Sequence, residues 1–467
     1  MWALPWDISS RDKIEQLISD AVENNQTEIL AEVRYRADAM YIPNKTDSTY
    51  YNPEQRSYIL PDNDFDPLAY LLETAHEQGL QVQAWVSTLN ATPTNSTYLR
   101  SNYIYQQHSD WIMTDANGNK MRASEYMGYF VDPGIPDVKY HLMNVVLDIV
   151  SNYPELDGIH LDYIRYPARQ YGYATESVER YRNLSKLHEI AWNDWRISQI
   201  TDFVRDLREM AMVINPKLLI TAAVIADIDE AKNDYAQDWV NWINSGIVDR
   251  VYPMAYSKGY DRFYGIVADI AEQTPQENVI VGLRAWQERG ESVYRVEQII
   301  EKAELCRQLG FGGIALFSYE GIRRLNYFPG LKLALFDKTE PDTLEASEED
   351  FIAALINSSV HERASETTSV DLAVLNEKVS SCESISLNQN TYSLSFYIDE
   401  ANFWSWSIID VNSNVIYEQK KAYHRGYFVE EWNGIANDGG AIQPGVYTLR
   451  LCNDKDMLSS EKKFIVF

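Results

Sequence analysis

Short apolar, β-like runs alternate with longer segments that repeat apolar residues at helical spacing over residues 2–335. The runs are short enough to be strands, and the segments between them are long enough to be helices. The predicted strands are residues 2–6, 28–35, 81–88, 158–164, 218–225, 250–256, 279–285 and 313–319. The predicted helices lie around residues 11–24, 66–79, 136–153, 176–213, 235–246, 261–273 and 292–310, with a further one at 321–336.

Eight strands that alternate with helices predict an α/β domain with the (β/α)8 TIM-barrel fold. A doubly wound open sheet is the main alternative. That fold is expected to carry a glycine-rich phosphate loop after its first strand, whereas this chain has Trp-Asp-Ile-Ser-Ser at residues 6–10. We therefore assign residues 1–337 to a barrel domain.

The pattern changes after residue 337. Residues 338–382 are polar and acidic and are interpreted as a linker, and residues 383–467 contain short strands separated by turn signals. The last segment predicts a small all-β sandwich. Its motifs, Trp-Asn-Gly at 432–434 and Pro-Gly-Val-Tyr at 444–447, resemble those of an immunoglobulin-like module found beside bacterial exported enzymes. That resemblance implies a spacer or an attachment role.

Composition and charge restrict the classes of partner. Hydrophobic residues make up 45% of the 467-residue chain and aromatic residues 12%, which is sufficient for a large core. A net charge of −28 argues against nucleic acid and anionic membranes as partners, because binding to phosphates needs clustered Lys and Arg. No apolar run reaches the ~18 residues of a membrane span. Because a strand begins at Trp2, we expect an export signal to have been removed and the protein to be exported.

Cysteine and histidine spacing predicts neither a metal site nor a cofactor. The three cysteines, Cys306, Cys382 and Cys452, lack metal-ligand spacing, and the seven histidines form no zinc motif. Cys382 and Cys452 could pair, although two free thiols are the favoured interpretation. The oligomeric state is left open by the sequence.

Long connections follow three of the predicted strands. Residues 36–65, 89–135 and 165–200 are rich in Tyr, Asn and Trp, and each follows the carboxyl end of a strand. This is the face on which barrels build their sites. The sequence therefore predicts a deep or walled cleft on that face.

Carboxylates at the predicted strand ends are the candidate chemical groups. Asp162 ends the fourth strand within an apolar run, where an ionised acid needs a partner or a function. Glu320 follows the eighth strand and Asp227 follows the fifth, while Asp38 lies just beyond the second. His160 lies on the same strand face as Asp162, where it could either fill the interior or orient the acid.

Several acids without a nucleophile elbow or a metal motif suit glycoside hydrolysis, which needs one protonated and one ionised carboxyl group. The hypothesis makes Asp162 the nucleophile or general base, kept ionised by Arg165 or Arg34. Glu320 is the first choice for the general acid and Asp227 the second. The expected substrate-binding residues, some of which would stack on sugar rings, are Arg34, Asp38, Trp85, Arg165, Tyr256 and Trp286.

Motifs across the whole barrel resemble the bacterial glycosyl-hydrolase-like family ten. They are Trp-Asp-Ile-Ser-Ser at 6–10, Val-Arg-Tyr-Arg-Ala-Asp-Ala-Met-Tyr at 33–41, Phe-Asp-Pro-Leu at 65–68, Ala-His-Glu-Gln-Gly-Leu at 75–80, Ala-Trp-Val at 84–86, Asp-Pro-Gly at 132–134, and residues 157–167, 251–256 and 313–319. The resemblance implies a (β/α)8 glycosidase of exported bacterial proteins that acts on an oligosaccharide or polysaccharide, such as a complex or cell-envelope glycan.

The chain departs from that family at two places. Ser-Thr-Leu-Asn at 87–90 replaces an Asn-Pro-Tyr-Arg-like stretch, and Tyr163 follows Asp162 where the family often has a second acid. The alternative hypothesis is therefore a non-catalytic glycan-binding barrel that has lost one acid. A hydrolase of amide or ester substituents is a weaker possibility, because no nucleophile elbow or zinc motif is present.

Overall fold

A computed structural model describes residues 1–62, 64–186, 189–288, 291, 294–336, 382–388, 391–398, 402–410, 414–423, 426–443, 445–453 and 458–466. The chain divides into two compact units, one α/β and one all-β. The predicted linker lies outside the described residues, apart from Cys382 at its end. The predicted domain boundaries stay predictions.

All eight strands predicted for the first unit are present, each within the predicted range. They are β1 (Trp2–Ala3), β2 (Glu28–Arg34), β3 (Gln81–Ser87), β4 (Gly158–Asp162), β5 (Leu219–Val224), β6 (Arg250–Pro253), β7 (Ile280–Arg284) and β8 (Gly313–Phe317). The strands are shorter than predicted because the apolar pattern continues into the loops at their carboxyl ends, where side chains are still buried.

The strands β1 to β6 pair in parallel in sequence order, and β7 pairs in parallel with β8. Two isolated parallel bridges, Val251 to Val279 and Met254 to Gly282, connect the region of β6 with that of β7. No ladder joins β8 to β1 within the described ranges. The parallel α/β architecture is therefore present, and closure into an eight-stranded ring stays a prediction.

Helices connect successive strands. Their bounds are Arg11–Glu23, Pro67–Glu77, Ser96–Leu99, Tyr103–Gln107, Pro136–Asn152, Thr175–Ser185, Trp192–Ile214, Ile228–Tyr235, Trp239–Asn244, Tyr260–Gln273, Val296–Gln308, Tyr319–Arg324 and Phe328–Leu331. The one helix predicted at 176–213 is two helices. The helix Ile228–Tyr235 was not predicted, because it buries Ala231 alone and so shows little apolar periodicity.

Residues from opposite ends of the sheet share one interior cluster. It contains Trp2, Leu30, Trp85, Tyr252 and Ala315, which come from β1, β2, β3, β6 and β8. Because the first and last strands both contribute to it, the sheet must curve around this cluster. The curvature brings the carboxyl ends of distant strands to the same face.

A chain of buried hydrogen bonds also crosses this interior. Trp2 Nε1 donates to His160 Nε2 over 3.1 Å, so the Nδ1–H of His160 donates to Thr221 Oγ1 over 2.9 Å. Thr221 in turn donates to Gln83 Oε1 over 2.6 Å. Burial lowers the pKa of His160 to about 3, which keeps the imidazole neutral. His160 is therefore a satisfied interior histidine, and its hydrogen bonds run away from Asp162.

The second unit contains two antiparallel sheets. Its strands are β9 (Cys382–Asn388), β10 (Thr391–Ile398), β11 (Asn402–Asp410), β12 (Val415–Tyr423), β13 (Gly426–Trp432), β14 (Gly445–Asn453) and β15 (Leu458–Val466). One sheet has the order β9-β10-β13 and the other β12-β11-β14-β15.

Both sheets of this unit contribute to one core, which includes Phe396, Trp406, Trp432 and Leu449. This packing makes the unit a small β-sandwich, as predicted; the immunoglobulin-like assignment stays a prediction. The strand β9 lies, apart from its first residue Cys382, within the segment 383–467 that the sequence assigned to short strands. Cys452 lies on β14 with its side chain half-buried, and its pairing with Cys382 stays a prediction.

Replacement of Thr221 by Val keeps the shape of the side chain and removes its hydroxyl group. His160 Nδ1–H and Gln83 Oε1 then lose their partner inside the unit, so we expect a loss of about 1–3 kcal/mol in the free energy of unfolding. Urea denaturation measures this loss. Thr74→Val is the matched control, because the Thr74 hydroxyl donates to the Tyr70 carbonyl of its own helix. An equal loss of stability in both variants would contradict a specific contribution of the buried hydrogen-bond chain to the free energy of unfolding.

Candidate active site

Asp162 is the last residue of β4 and is buried at the carboxyl end of the sheet. Its Oδ2 accepts a hydrogen bond from Trp85 Nε1 over 3.1 Å, and its Oδ1 accepts one from the Tyr163 backbone N–H over 2.6 Å. Burial raises the pKa of Asp162, while the nearby charge of Arg165 and the two N–H donors oppose that rise. The ionised form of this carboxyl group thus has three favourable partners.

Glu32 is a second buried acid at the same end of the sheet. It lies on β2 opposite Trp85 in the ladder, and Ser87 of β3 lies opposite Asp162. Ser87 Oγ donates to Glu32 Oε1 over 2.7 Å. Burial raises the pKa of Glu32 to about 8; the Ser87 hydrogen bond opposes this rise, and the negative charge of Asp162 adds to it.

The two acids differ in their hydrogen-bond partners, and this difference separates their protonation states. Asp162 receives two N–H donors and faces a guanidinium group, whereas Glu32 receives one hydroxyl donor and feels the charge of Asp162. Such an arrangement favours an ionised Asp162 beside a protonated Glu32. A neutral and an ionised carboxyl group on one face can act as a proton donor and as a nucleophile or base.

Sequence analysis did not identify Glu32, because the search was confined to acids at strand ends. A usable signal was present nonetheless. Glu32 is the one charged residue within the apolar run from Ile29 to Val33, on a strand that is buried along most of its length. A charged residue inside a buried strand needs a partner or a function.

Aromatic rings form a wall beside Asp162. The ring of Tyr256 lies 4.8 Å from that of Trp286 and 5.6 Å from that of Phe317. The ring centres of Trp85 and Phe317 are 6.2 Å apart. Burial raises the pKa of Tyr256 well above its usual range, and the charge of Asp162 adds to this. The three aromatic residues expected at the site are thus grouped around Phe317, which sequence analysis did not single out.

Arg34 pairs with Glu54 and not with Asp162. Its guanidinium group forms two hydrogen bonds with the buried Glu54, at 2.8 and 2.6 Å, and donates to the backbone carbonyls of Ser87 and Thr88. Burial alone would raise the pKa of Glu54, but Arg34 and His141 outweigh it and lower that pKa to about 2. Arg34 therefore ties the ends of β2 and β3 together, and of the two expected cations only Arg165 acts on Asp162.

Asp38 and Arg165 lie in the segments that follow β2 and β4, the strands that carry the two acids. Asp38 is buried and accepts a hydrogen bond from Gln55 Nε2 over 2.9 Å. Burial raises the pKa of Asp38 to about 7. The guanidinium carbon of Arg165 lies 5.1 Å from the ring centre of Tyr163 and 5.3 Å from that of Tyr235. These ring contacts hold the cation close to Asp162.

The structure gives the two expected general acids other partners. Glu320 lies on the short helix that follows β8, where its side chain is 55% exposed and pairs with Arg324 at 3.5 Å. Asp227 caps the helix Ile228–Tyr235 by accepting a hydrogen bond from the Glu230 N–H over 3.0 Å. The helices that begin directly after β8 and β5 place both acids in surface helical turns.

The described residues contain no group of three or more His, Cys, Asp or Glu arranged to hold a metal ion. None of the helices within the described ranges has the length and apolarity needed to cross a membrane.

Comparisons with known proteins support one family. The sequence profile of the glycosyl hydrolase-like 10 family matches residues 3–301. Glycosyl hydrolase YngK of Bacillus subtilis is 24% identical over 279 residues, which cover 54% of this chain and 51% of that protein. Glycosyl hydrolase DigH of Escherichia coli K12 is 24% identical over 216 residues, or 41% of this chain and 46% of that protein. The chain thus spans about half the length of the curated relatives it matches.

The fold is also similar to a solved structure, the glycoside hydrolase domain of PgaB (BpsB) from Bordetella bronchiseptica. The TM-score is 0.56 at 16% identity, and the match covers 71% of this chain and 97% of that domain. This likeness supports a TIM-barrel-type fold for the α/β unit. Because the profile covers well over half of the sequence and agrees with the motifs, the chain belongs to the glycosyl hydrolase-like 10 family.

Proposed function

We propose that this protein is a glycoside hydrolase that cleaves O-glycosidic bonds in a complex or cell-envelope glycan with the carboxyl groups of Glu32 and Asp162. The observation that carries the proposal is the pair of buried acids on one face, whose surroundings favour opposite protonation states. Membership of a glycosyl hydrolase-like family supports the reaction class.

Glu32 is the proposed general acid. With a pKa of about 8 it carries its proton at neutral pH and can deliver it to the oxygen that leaves the sugar. Asp162 is the proposed nucleophile or general base, held ionised by Trp85, the Tyr163 N–H and Arg165. Glu32 thus takes the role that the sequence suggested for Glu320 or Asp227.

The remaining residues are proposed to bind the sugar or to position the acids. Tyr256 and Trp286 offer aromatic faces to a sugar ring, since they are half-buried at the same end of the sheet as Asp162. Arg34 is a positioning residue, because it holds the Ser87 carbonyl while the hydroxyl of Ser87 holds Glu32. Asp38, in the loop after β2, is the proposed contact for sugar hydroxyl groups.

The alternative, a non-catalytic glycan-binding barrel, drew its support from the single acid in the strand-four motif. Glu32 supplies a second acid from a different strand, and its charge interacts with Asp162. A two-acid mechanism therefore does not need adjacent acids in that motif. This observation favours the enzyme over the binding barrel.

Asp162→Asn should reduce turnover by at least about 10²-fold, because the amide cannot act as a nucleophile or base. The substrate is first identified by testing the purified protein on peptide-stripped peptidoglycan strands, capsule-type polymers and aryl glycosides, and kcat is then measured with the most active of these. Normal hydrolysis by a folded Asp162→Asn variant would refute the assignment. Glu320→Gln and Asp227→Asn, made alongside, would show whether either acid is the proton donor instead.

Glu32→Gln should lose hydrolysis of the natural glycan while retaining much of it on an aryl glycoside with a good leaving group, because such a group departs without protonation. The wild-type kcat/KM should fall above about pH 8, where Glu32 loses its proton, and the variant should lack this alkaline decline. An unchanged pH profile in the variant would show that another group donates the proton.

Glu32→Gln should also change how stability depends on pH. Glu32 holds its proton up to about pH 8 in the folded protein but only to about pH 4.3 when unfolded, so the wild type loses stability as pH rises between these values. The variant has no such loss. Its stability relative to the wild type should therefore grow by up to about 1.4 kcal/mol per pH unit in that window.

Urea denaturation at several pH values between about 4 and 8 measures this difference. Glu77→Gln is the matched control, since Glu77 is exposed at the end of the helix Pro67–Glu77. The control should follow the wild-type curve. A constant offset between Glu32→Gln and the wild type across the pH range would contradict a raised pKa at Glu32.

A further inference from the structure

A large exposed aromatic side chain lies beside the acid pair. Trp6 follows β1, and its side chain is 46% exposed. The Trp6 carbonyl accepts hydrogen bonds from Lys13 Nζ over 2.9 Å and Ser9 Oγ over 3.0 Å, which fix the backbone of this turn. The indole ring packs edge-on against Tyr35 at 5.3 Å between ring centres. Tyr35 lies three residues after Glu32, and a charge on Glu32 adds to the rise that burial causes in the pKa of Tyr35, so the indole packs on a ring that interacts with the proposed proton donor.

A second aromatic pair lies on the neighbouring loops. Tyr58 and Tyr98 stack with their ring centres 3.6 Å apart and their planes at 10°. Both side chains are half-buried, so each ring keeps an outer surface. Tyr58 comes from the long connection after β2, and Tyr98 from the one after β3. Two of the three Tyr-rich connections thus meet at this pair.

Backbone contacts hold the pair near the end of β2. The short strand Gln55–Arg56 pairs with Asp38–Ala39, and Gln55 Nε2 donates to Asp38, so Tyr58 follows directly after an anchored segment. Asn102 Nδ2 donates to the carbonyl of Arg36 over 3.1 Å, which fixes the segment that follows Tyr98. These contacts therefore fix the backbone next to Tyr58 and Tyr98.

Arg36 connects the two groups of rings. Its guanidinium carbon lies 4.5 Å from the ring centre of Tyr35, and its charge acts on Tyr58 and on Glu32. Trp6, Tyr35, Tyr58 and Tyr98 thus extend from the Glu32 side of the acid pair across the rim. An apolar strip with a guanidinium group along it suits sugar rings, whose C–H faces stack on aromatic residues while their hydroxyl groups accept hydrogen bonds.

We propose that Trp6, Tyr35, Tyr58 and Tyr98 form an aromatic track that binds the leaving-group portion of a polymeric glycan. The assignment of the track to the leaving-group side of the bond rests on the proposed function. A general acid protonates the oxygen of the leaving sugar and therefore lies on that side. The substrate class that fits is a polysaccharide with several sugars beyond the bond that is cut. A short glycoside would leave the track empty.

The test separates binding along the track from chemistry at the acids. Trp6→Ala, Trp6→Phe, Tyr98→Ala and Tyr264→Ala are made in the full-length Asp162→Asn background, and affinity electrophoresis measures their binding to peptide-stripped peptidoglycan strands and to a capsular polysaccharide. Tyr264 is the control, because it is 50% exposed on the helix Tyr260–Gln273, which follows β6 and not the strands β1, β2 and β3 whose connections carry the proposed track. Thermal unfolding verifies that each variant is folded.

We expect Trp6→Ala and Tyr98→Ala to bind the better polymer about 10-fold or more weakly, as is typical when a large aromatic contact is removed. Trp6→Phe should bind with an affinity close to that of the parent, because it retains a ring, and Tyr264→Ala should equal the parent. In the active background, the same alanine variants should lower kcat/KM for the polymer by a similar factor and lower kcat/KM for an aryl glycoside by less, because that substrate has a single group beyond the bond that is cut.

Equal binding by the parent and Trp6→Ala, equal losses in Trp6→Ala and Tyr264→Ala, or no binding of either polymer by the parent would overturn the track. A loss of kcat/KM on the aryl glycoside equal to that on the polymer would overturn it too. A different result would refute the catalytic proposal. If Asp162→Asn hydrolyses normally while Trp6→Ala still weakens polymer binding, the proposed track is supported and the proposed roles of Asp162 and Glu32 are refuted.

Discussion

The rest of the proposed site depends on the burial of two carboxyl groups at the carboxyl end of one curved parallel sheet. An acid removed from water resists ionisation, and a second acid nearby resists it further. Asp162 is compensated by the indole N–H of Trp85, the Tyr163 N–H and Arg165, whereas Glu32 is compensated by the Ser87 hydroxyl and, to a smaller extent, by the charge of Arg36. The unequal compensation favours different protonation states in the two carboxyl groups, which is the requirement of acid-assisted glycoside cleavage.

That arrangement needs strand ends that do not move relative to one another. Arg34 supplies this by joining Glu54 of the long loop to the carbonyl groups at the end of β3, and His141 of the helix Pro136–Asn152 contacts the same carboxylate at 2.8 Å. Breaking such a buried pair from one side is costly, because the remaining charge stays buried. The loop after β2, which carries Tyr35 and Tyr58 of the proposed aromatic track, is thereby fixed to the sheet that bears Glu32.

The sequence predicted the eight strands, the family and the position of Asp162 at a strand end because these depend on local periodicity and on motifs. It did not single out Glu32, the proposed partner of Asp162. Glu320 and Asp227 follow strands directly, yet each strand is succeeded at once by a helix that takes the acid into its first turn or cap. Glu32 lies two residues before a strand end, where an acid in a buried run was not counted as a candidate.

The sequence by itself determined the alternation of strands and helices, the acidic composition that argues against nucleic acid, and the motifs that identify the family, since each is local along the chain. Tertiary structure decided which charges meet. Strand register places Ser87 beside Glu32, sheet curvature gathers Tyr256, Trp286 and Phe317 at one rim, and pairing with Glu54 removes Arg34 from Asp162. The shifts in pKa follow from these contacts, because burial and neighbouring charge are properties of the folded chain.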